Sequence, residues 1–104
     1  MNLKDKVIYV TGASLGIGYE IASELLKQDA KVVITARNKE NLDKAKNTLS
    51  KISNNVQAHA FDISDENELK KSMNNVYDHF GKIDGLVNHA PSIHPGMIKD
   101  MSLS

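Results

Sequence analysis

Thr11-Gly12-Ala13-Ser14-Leu15-Gly16-Ile17-Gly18 follows the apolar run Val7-Ile8-Tyr9-Val10 and opens a helical pattern. The order along the chain is therefore strand, glycine turn, helix. The first N–H groups of a helix have no partners inside it, and the helix dipole adds partial positive charge at the same end. Glycines let the chain turn sharply there and let a bulky anion approach the backbone. A phosphate group fits such a turn for these reasons. An ordinary tight turn is the plainer reading, but the strand before it and the helix after it favour the anion site.

The chain after this turn repeats the same alternation. The first helical stretch carries Ile17, Ile21 and Leu25 at four-residue spacing, with Ala22 and Leu26 beside them, and ends near Asp29. Asp29 meets the negative pole of the dipole, which is tolerable if it serves as a left-handed cap. Lys31 to Ala36 reads as a second strand, and Asn38 as the N-cap of a second helix that buries Leu42, Ala45, Leu49 and Ile52. Its other face carries Lys39, Lys44, Lys46 and Lys51 and reads as solvated surface. Val56 to Phe61 reads as a third strand. Ser64 then stands as N-cap, with Asp65, Glu66 and Glu68 in the first turn of a helix that buries Leu69, Met73, Val76 and Phe80 and ends at Gly81. Ile83 to Asn88 reads as a fourth strand. Pro91, Pro95 and Gly96 mark an irregular loop, and Asp100-Met101-Ser102 a possible new helix start.

Short connections between alternating strands and helices imply a parallel sheet with helices on both faces. The expected fold is α/β, a Rossmann-type doubly wound parallel sheet of about four strands in the order 3-2-1-4. The first two helices lie on one face and the third on the other. With 104 residues the chain makes one small domain, residues 1–104. Thirteen basic residues balance thirteen acidic ones, so nothing draws it generally to nucleic acid or anionic membranes. It has no cysteine, hence no disulfide or thiolate metal site. No apolar run approaches the roughly 18 residues of a membrane span, and the amino terminus lacks a signal peptide's apolar core. A cytoplasmic location is the expectation.

The glycine spacing differs from the common G-x-G-x-x-G fingerprint. Thr11, Gly12, Gly16, Ile17 and Gly18 instead match T-G-x-x-x-G-I-G, and in this the chain resembles the short-chain dehydrogenase/reductase family from about Lys4 onward. The resemblance implies a dinucleotide held by Gly12, Ser14, Leu15, Gly16, Ile17 and Gly18 at its phosphates. Ala36-Arg37 stands at the end of the second strand, where NAD-binding relatives place an acid. Arg37 could pair with a 2′-phosphate through a charge-assisted fork, so NADP is the expected cofactor and NAD the lesser one. The alternative is an ordinary surface arginine.

Asp62-Ile63 follows the third strand, where the family holds the adenine edge and face. A capping role for Asp62 is the alternative. Asn88-His89-Ala90-Pro91 stands where the family has N-N-A-G. Asn88 and Ala90 match, whereas His89 and Pro91 depart from the pattern. Pro91 fixes φ and removes a donor, which disturbs the nicotinamide side.

Family enzymes use a Ser, a Tyr and a Lys, the last two in Y-x-x-x-K. Tyr9, Tyr19 and Tyr77 are the only tyrosines, and none is followed by that lysine. No catalytic residue is therefore carried over, and the chain is expected to be inactive alone. His89 and His94, with His59 and His79 elsewhere, do not make a metal set. Two readings stand. One is the NADP-binding portion of an oxidoreductase that transfers hydride between NADP(H) and an alcohol or carbonyl. The other is a non-enzymatic nucleotide-binding or interaction module derived from the family. The fourth strand would be a sheet edge, open to self-association or to a complementing chain.

Overall fold

The structure, a computed structural model, describes residues 3–12 and 16–88. Four strands make one parallel sheet: β1 (Val7–Thr11), β2 (Lys31–Ala36), β3 (Val56–Ala60) and β4 (Gly85–Val87). Their order is β3-β2-β1-β4, as the alternation implies. The helices are α1 (Gly16–Lys27), α2 (Lys39–Leu49) and α3 (Glu66–Phe80).

β1 and β2 are nearly continuous runs of Val, Ile and Thr, the residues that suit a pleated strand covered on both sides. Alternation along them feeds two cores. Val10, Val32, Ile34 and Val56 meet Ala22 and Leu26 of α1 and Leu42, Ala45 and Leu49 of α2. Val7, Tyr9 and Val33 meet Leu69, Met73 and Val76 of α3, with Ile63, Ile83 and Leu86. Two helices therefore cover one face and α3 the other.

The helix ends show the local chemistry. Asp29 takes φ +66° after α1. Its N–H bonds Leu26 O at 3.1 Å, and Ala30 N–H bonds Leu25 O at 3.1 Å. This is a Schellman ending, with buried Ala30 as the apolar residue that follows. Asn38 caps α2, its side chain accepting from Asn41 N–H at 2.9 Å. Gly81 ends α3 at φ +80°.

Some sequence expectations need correction. α2 stops at Leu49, and Ile52, in the turn beyond it, is 39% exposed rather than buried. The N-cap of α3 is Asp65, not Ser64: its carboxylate accepts from Asn67 and Glu68 N–H. Ser64 instead turns back to Asp62. Phe80 is only half-buried.

β4 is also shorter than expected. Asp84 meets Val7 twice, its N–H donating to Val7 O and its carboxylate accepting from Val7 N–H, both at 2.8 Å. With Val7 N–H held by a side chain, the ladder to β1 starts only at Gly85. Burial alone would raise the Asp84 carboxyl, but Val7 N–H, a bond from Lys82, and the charges of Lys82 and Lys6 hold it below its ordinary value. β3 likewise stops at Ala60, one residue before Phe61. The loop from His89 onward lies outside the described residues.

Candidate functional site at the strand ends

In a doubly wound sheet, ligands bind beyond the carboxyl ends of the strands, where strand order reverses. Here that point lies between β1 and β4, the strands either side of the switch in direction. The two ends are tied together. Buried Thr11 points its hydroxyl at Asn88 Oδ1, 3.3 Å away, and Val87 O, 3.4 Å away.

Gly12 and Gly16 both adopt φ +67°, a conformation that side chains with a Cβ rarely take. A Cβ built on Gly16 would meet none of the described residues within 4 Å, so the glycine answers to backbone conformation and not to crowding. Gly18 is buried, and the first turn of α1 carries no acid to oppose an anion. Ile17 is 64% exposed. Ala13, Ser14 and Leu15 lie outside the described residues, as do His89, Ala90 and Pro91.

Arg37 extends from the end of β2 with its side chain 80% exposed. Its Nε lies 3.9 Å from Asp62 Oδ2. Asp62 Oδ1 accepts from Ser64 N–H at 3.0 Å and from Ser64 Oγ at 2.8 Å. These two bonds and the nearby guanidinium hold the Asp62 carboxyl below its ordinary value. Asp62 Oδ1 thus shapes the turn before α3 without capping the helix, and Oδ2 faces Arg37 across the strand ends. Ile63 is buried against Leu69 and Met73 and forms a floor rather than an open surface.

The structure also joins residues that periodicity does not connect. Tyr9 Oη lies 2.6 Å from Ser72 Oγ, Ser72 Oγ lies 2.5 Å from His59 Nδ1, and His59 Nε2 lies 3.2 Å from Gln57 Oε1. This polar chain links β1, α3 and β3 beneath the turn that carries Asp62. The visible signal was Ser72, which occupies an apolar-stripe position between Leu69 and Val76.

A groove of about 680 Å³ runs along α1, lined by Ile17, Ile21, Leu25 and Gln28 among others. It shares Ile17 with the strand-end site but follows the flank of the helix. Among the described residues no three His, Cys, Asp or Glu side chains are grouped to hold a metal, and no helix is long and apolar enough to cross a membrane.

The family model described as short chain dehydrogenase matches residues 6–104. An 11-beta-hydroxysteroid dehydrogenase-like protein of Arabidopsis thaliana is 38% identical over 90 residues, covering 86% of this chain and 29% of its own length. An uncharacterized oxidoreductase of Staphylococcus saprophyticus is 37% identical over 89 residues, covering 86% of this chain and 35% of its own. A short chain dehydrogenase from Bacillus anthracis superposes with a TM-score of 0.81 at 33% identity, over 86% of this chain and 36% of that one. A variant actinorhodin polyketide ketoreductase, solved with NADPH, superposes with a TM-score of 0.79 at 32% identity, over 83% of this chain and 33% of that one. The chain thus spans about a third of the length of these relatives. With its glycine turn, strand order and near-complete family match, the chain belongs to the short-chain dehydrogenase/reductase family.

Proposed function

We propose that this chain is the NADP-binding portion of a short-chain dehydrogenase/reductase. In that role it serves hydride transfer between NADP(H) and an alcohol or carbonyl, and it does not turn over alone. One observation carries the cofactor choice: an exposed Arg37 guanidinium at the end of β2, directly after Ala36, where an NAD site would place a carboxylate. The described residues fit a dinucleotide. Gly12 and Gly16, both at φ +67°, and buried Gly18 would turn the backbone at the N-terminus of α1 toward its phosphates, and the family resemblance adds Ser14, Leu15 and Ile17 of the same stretch. Arg37 would meet the 2′-phosphate and Asp62 the adenine edge, above Ile63. Asn88 and Ala90 would meet the nicotinamide end. NADP(H), when bound, supplies the hydride.

Arg37 uses Nε toward Asp62, which leaves its terminal nitrogens for a phosphate. One charge-assisted contact of this kind contributes roughly 1.5–3 kcal/mol, about tenfold to a hundredfold in affinity. NADP⁺ should therefore bind more tightly than NAD⁺ by that factor, and Arg37→Ala should erase most of the difference. Titration of both nucleotides into the unmutated chain and the variant measures it. Equal affinities in the unmutated chain would overturn the NADP reading.

The second reading is a non-enzymatic nucleotide-binding or interaction module derived from the family. Steady NADPH oxidation by the pure chain with ketone or aldehyde substrates would dismiss it. Among the described residues β4 pairs with β1 alone, so its outer edge suits a second copy or a complementing chain. The proposed location is cytoplasmic.

A further inference from the structure

The Tyr9–Ser72–His59–Gln57 chain admits one arrangement of its protons. Tyr9 is fully buried, and burial pushes its phenol far above the ordinary value despite the bond to Ser72, so it stays a neutral hydroxyl. Gln57 Oε1 only accepts, so His59 Nε2 carries the hydrogen between them. In the neutral ring Nδ1 then accepts from Ser72 O–H, and Ser72 oxygen accepts from Tyr9 O–H. Each hydrogen passed along the chain, from Tyr9, Ser72 and His59, then has an acceptor.

A second proton on the ring breaks this arrangement. Nδ1 becomes a donor, and three hydrogens, on Nδ1, Ser72 and Tyr9, compete for two hydroxyl oxygens. Ser72 and Tyr9 cannot donate to each other at once, so one hydroxyl hydrogen loses its acceptor in a buried place. A helical serine or threonine can escape by bonding the carbonyl one turn back, as Thr48 does with Lys44 O at 3.1 Å. Ser72 makes no such bond; its partners are Tyr9 and His59.

We infer that this chain is a proton-sensitive latch between β3 and α3, and that His59 is a positioning residue for the Asp62–Ile63 turn. β3 ends at Ala60, one residue after His59, and α3 begins at Glu66, six residues before Ser72, with the Asp62–Ile63 turn between them. The latch therefore bridges its two roots. The positioning role rests on the reading of Asp62 and Ile63 as the adenosine end of the site.

The surroundings leave the ring's protonation to this geometry. β2 places Thr35 opposite His59, and β1 contributes Tyr9. On α3 the charged neighbours of Ser72 are Glu68 and Lys71, which pair with each other at 3.5 Å. Burial alone holds the imidazole below its ordinary value, with no charge contributing. An unfolded chain takes the proton at the ordinary value, so the latch's stabilisation is present above that value and is lost as pH falls from it through the lowered value of the folded chain.

Imidazole nitrogen NMR of the full chain at pH 7.5 should find His59 as the Nε2–H tautomer. An Nδ1–H tautomer would overturn the latch. NADP⁺ should bind roughly threefold or more weakly on the acid side of the folded imidazole's lowered value, where the ring is protonated, than at pH 7.5. His59→Asn keeps an oxygen near the Nδ1 position to accept from Ser72 but cannot take a proton. Its affinity should change only through titration of the 2′-phosphate, which both proteins share. Parallel profiles for the two proteins would reduce His59 to packing and overturn its positioning role. Melting midpoints over the same pH range test the latch without nucleotide: the unmutated chain should lose more than His59→Asn on the acid side, and parallel losses would sink it. If neither NADP⁺ nor NAD⁺ binds at any pH, the dinucleotide reading and the positioning role fall together, while the melts still decide the latch.

Discussion

The two faces of the sheet are closed by different physics. On one, α1 and α2 press Ala22, Leu26, Leu42, Ala45 and Leu49 onto Val10, Val32 and Ile34, and every buried residue of both helices is apolar. On the other, α3 works alone among the described helices, and its stripe of Leu69, Met73 and Val76 is interrupted by Ser72. Apolar packing is non-directional, so the first face is specified by volume. The second adds a directional contact: Ser72 can meet both Tyr9 and His59 in only one placement of α3. A single helix held by a hydrogen-bonded key can be positioned as closely as a pair held by packing, provided each buried polar atom is satisfied. Among the described residues no buried side-chain nitrogen or oxygen lacks a partner.

The largest expected effects test whether both faces are closed cores. Leu49 is 0% exposed and Leu69 is 1% exposed, so they make a matched pair across the sheet. Leu→Ala at a buried site costs roughly 2–5 kcal/mol, depending on how far the site collapses. Leu49→Ala and Leu69→Ala should both fall in that range by urea denaturation. A cost under about 1 kcal/mol at Leu69 would show that α3 is not packed as its burial implies.

A smaller pair of effects sharpens the difference in kind. Tyr9→Phe removes one hydrogen bond and leaves Ser72 still donating to His59, which should cost roughly 0.5–1.5 kcal/mol. Ser72→Ala strands both neighbours: the Tyr9 hydroxyl loses its acceptor and His59 Nδ1 its donor. An unsatisfied buried group costs roughly 1–3 kcal/mol, whereas Ala gains only about 0.5 kcal/mol in helix propensity. Ser72→Ala should therefore destabilise more than Tyr9→Phe, although each removes a single oxygen. The reverse order in thermal or urea melts would mean that water replaces Ser72 and that the chain is not a closed network.

What was legible in the sequence follows the range of the interactions involved. The bounds of β2, the left-handed Asp29 and the Asn38 cap were all readable, because a residue and its near neighbours decide them. The strand order was readable because crossovers between alternating strands and helices are right-handed. Within the candidate site, the placement of Gly12, Gly16 and Gly18 between β1 and the first turn of α1, and of Arg37 and Asp62 beyond β2 and β3, was legible from the order of strands and helices. The Arg37–Asp62 approach was not, since 25 residues separate the partners and no period relates them. The Tyr9–Ser72 contact spans 63 residues and was hidden for the same reason. The short β4 had a further cause, because an Asp84 side chain replaced a backbone partner. Ser64 and Asp65 show a local competition. Both residues can cap a helix, and Asp62 settled the choice by engaging Ser64 first.

The smallest expected effect separates the faces at their helix starts. Asn38 satisfies one orphan N–H of α2, that of Asn41, and α2 also packs beside α1. Asp65 satisfies two of α3, those of Asn67 and Glu68 at 3.1 and 3.2 Å, and adds negative charge at the positive end of the dipole. Replacing a cap by Ala costs about 0.5–2 kcal/mol. Asp65→Ala should lie toward the upper end of that range and Asn38→Ala toward the lower. Hydrogen exchange resolves the two more finely than melting does, since loss of a cap frays the first turn before the core opens. Exchange should accelerate at Asn67 and Glu68 in Asp65→Ala, and at Asn41 in Asn38→Ala, with the strands unchanged in both. If Asn38→Ala proved the costlier of the two, α2 would depend on its cap despite its neighbour, and two-helix packing would not be what secures that face.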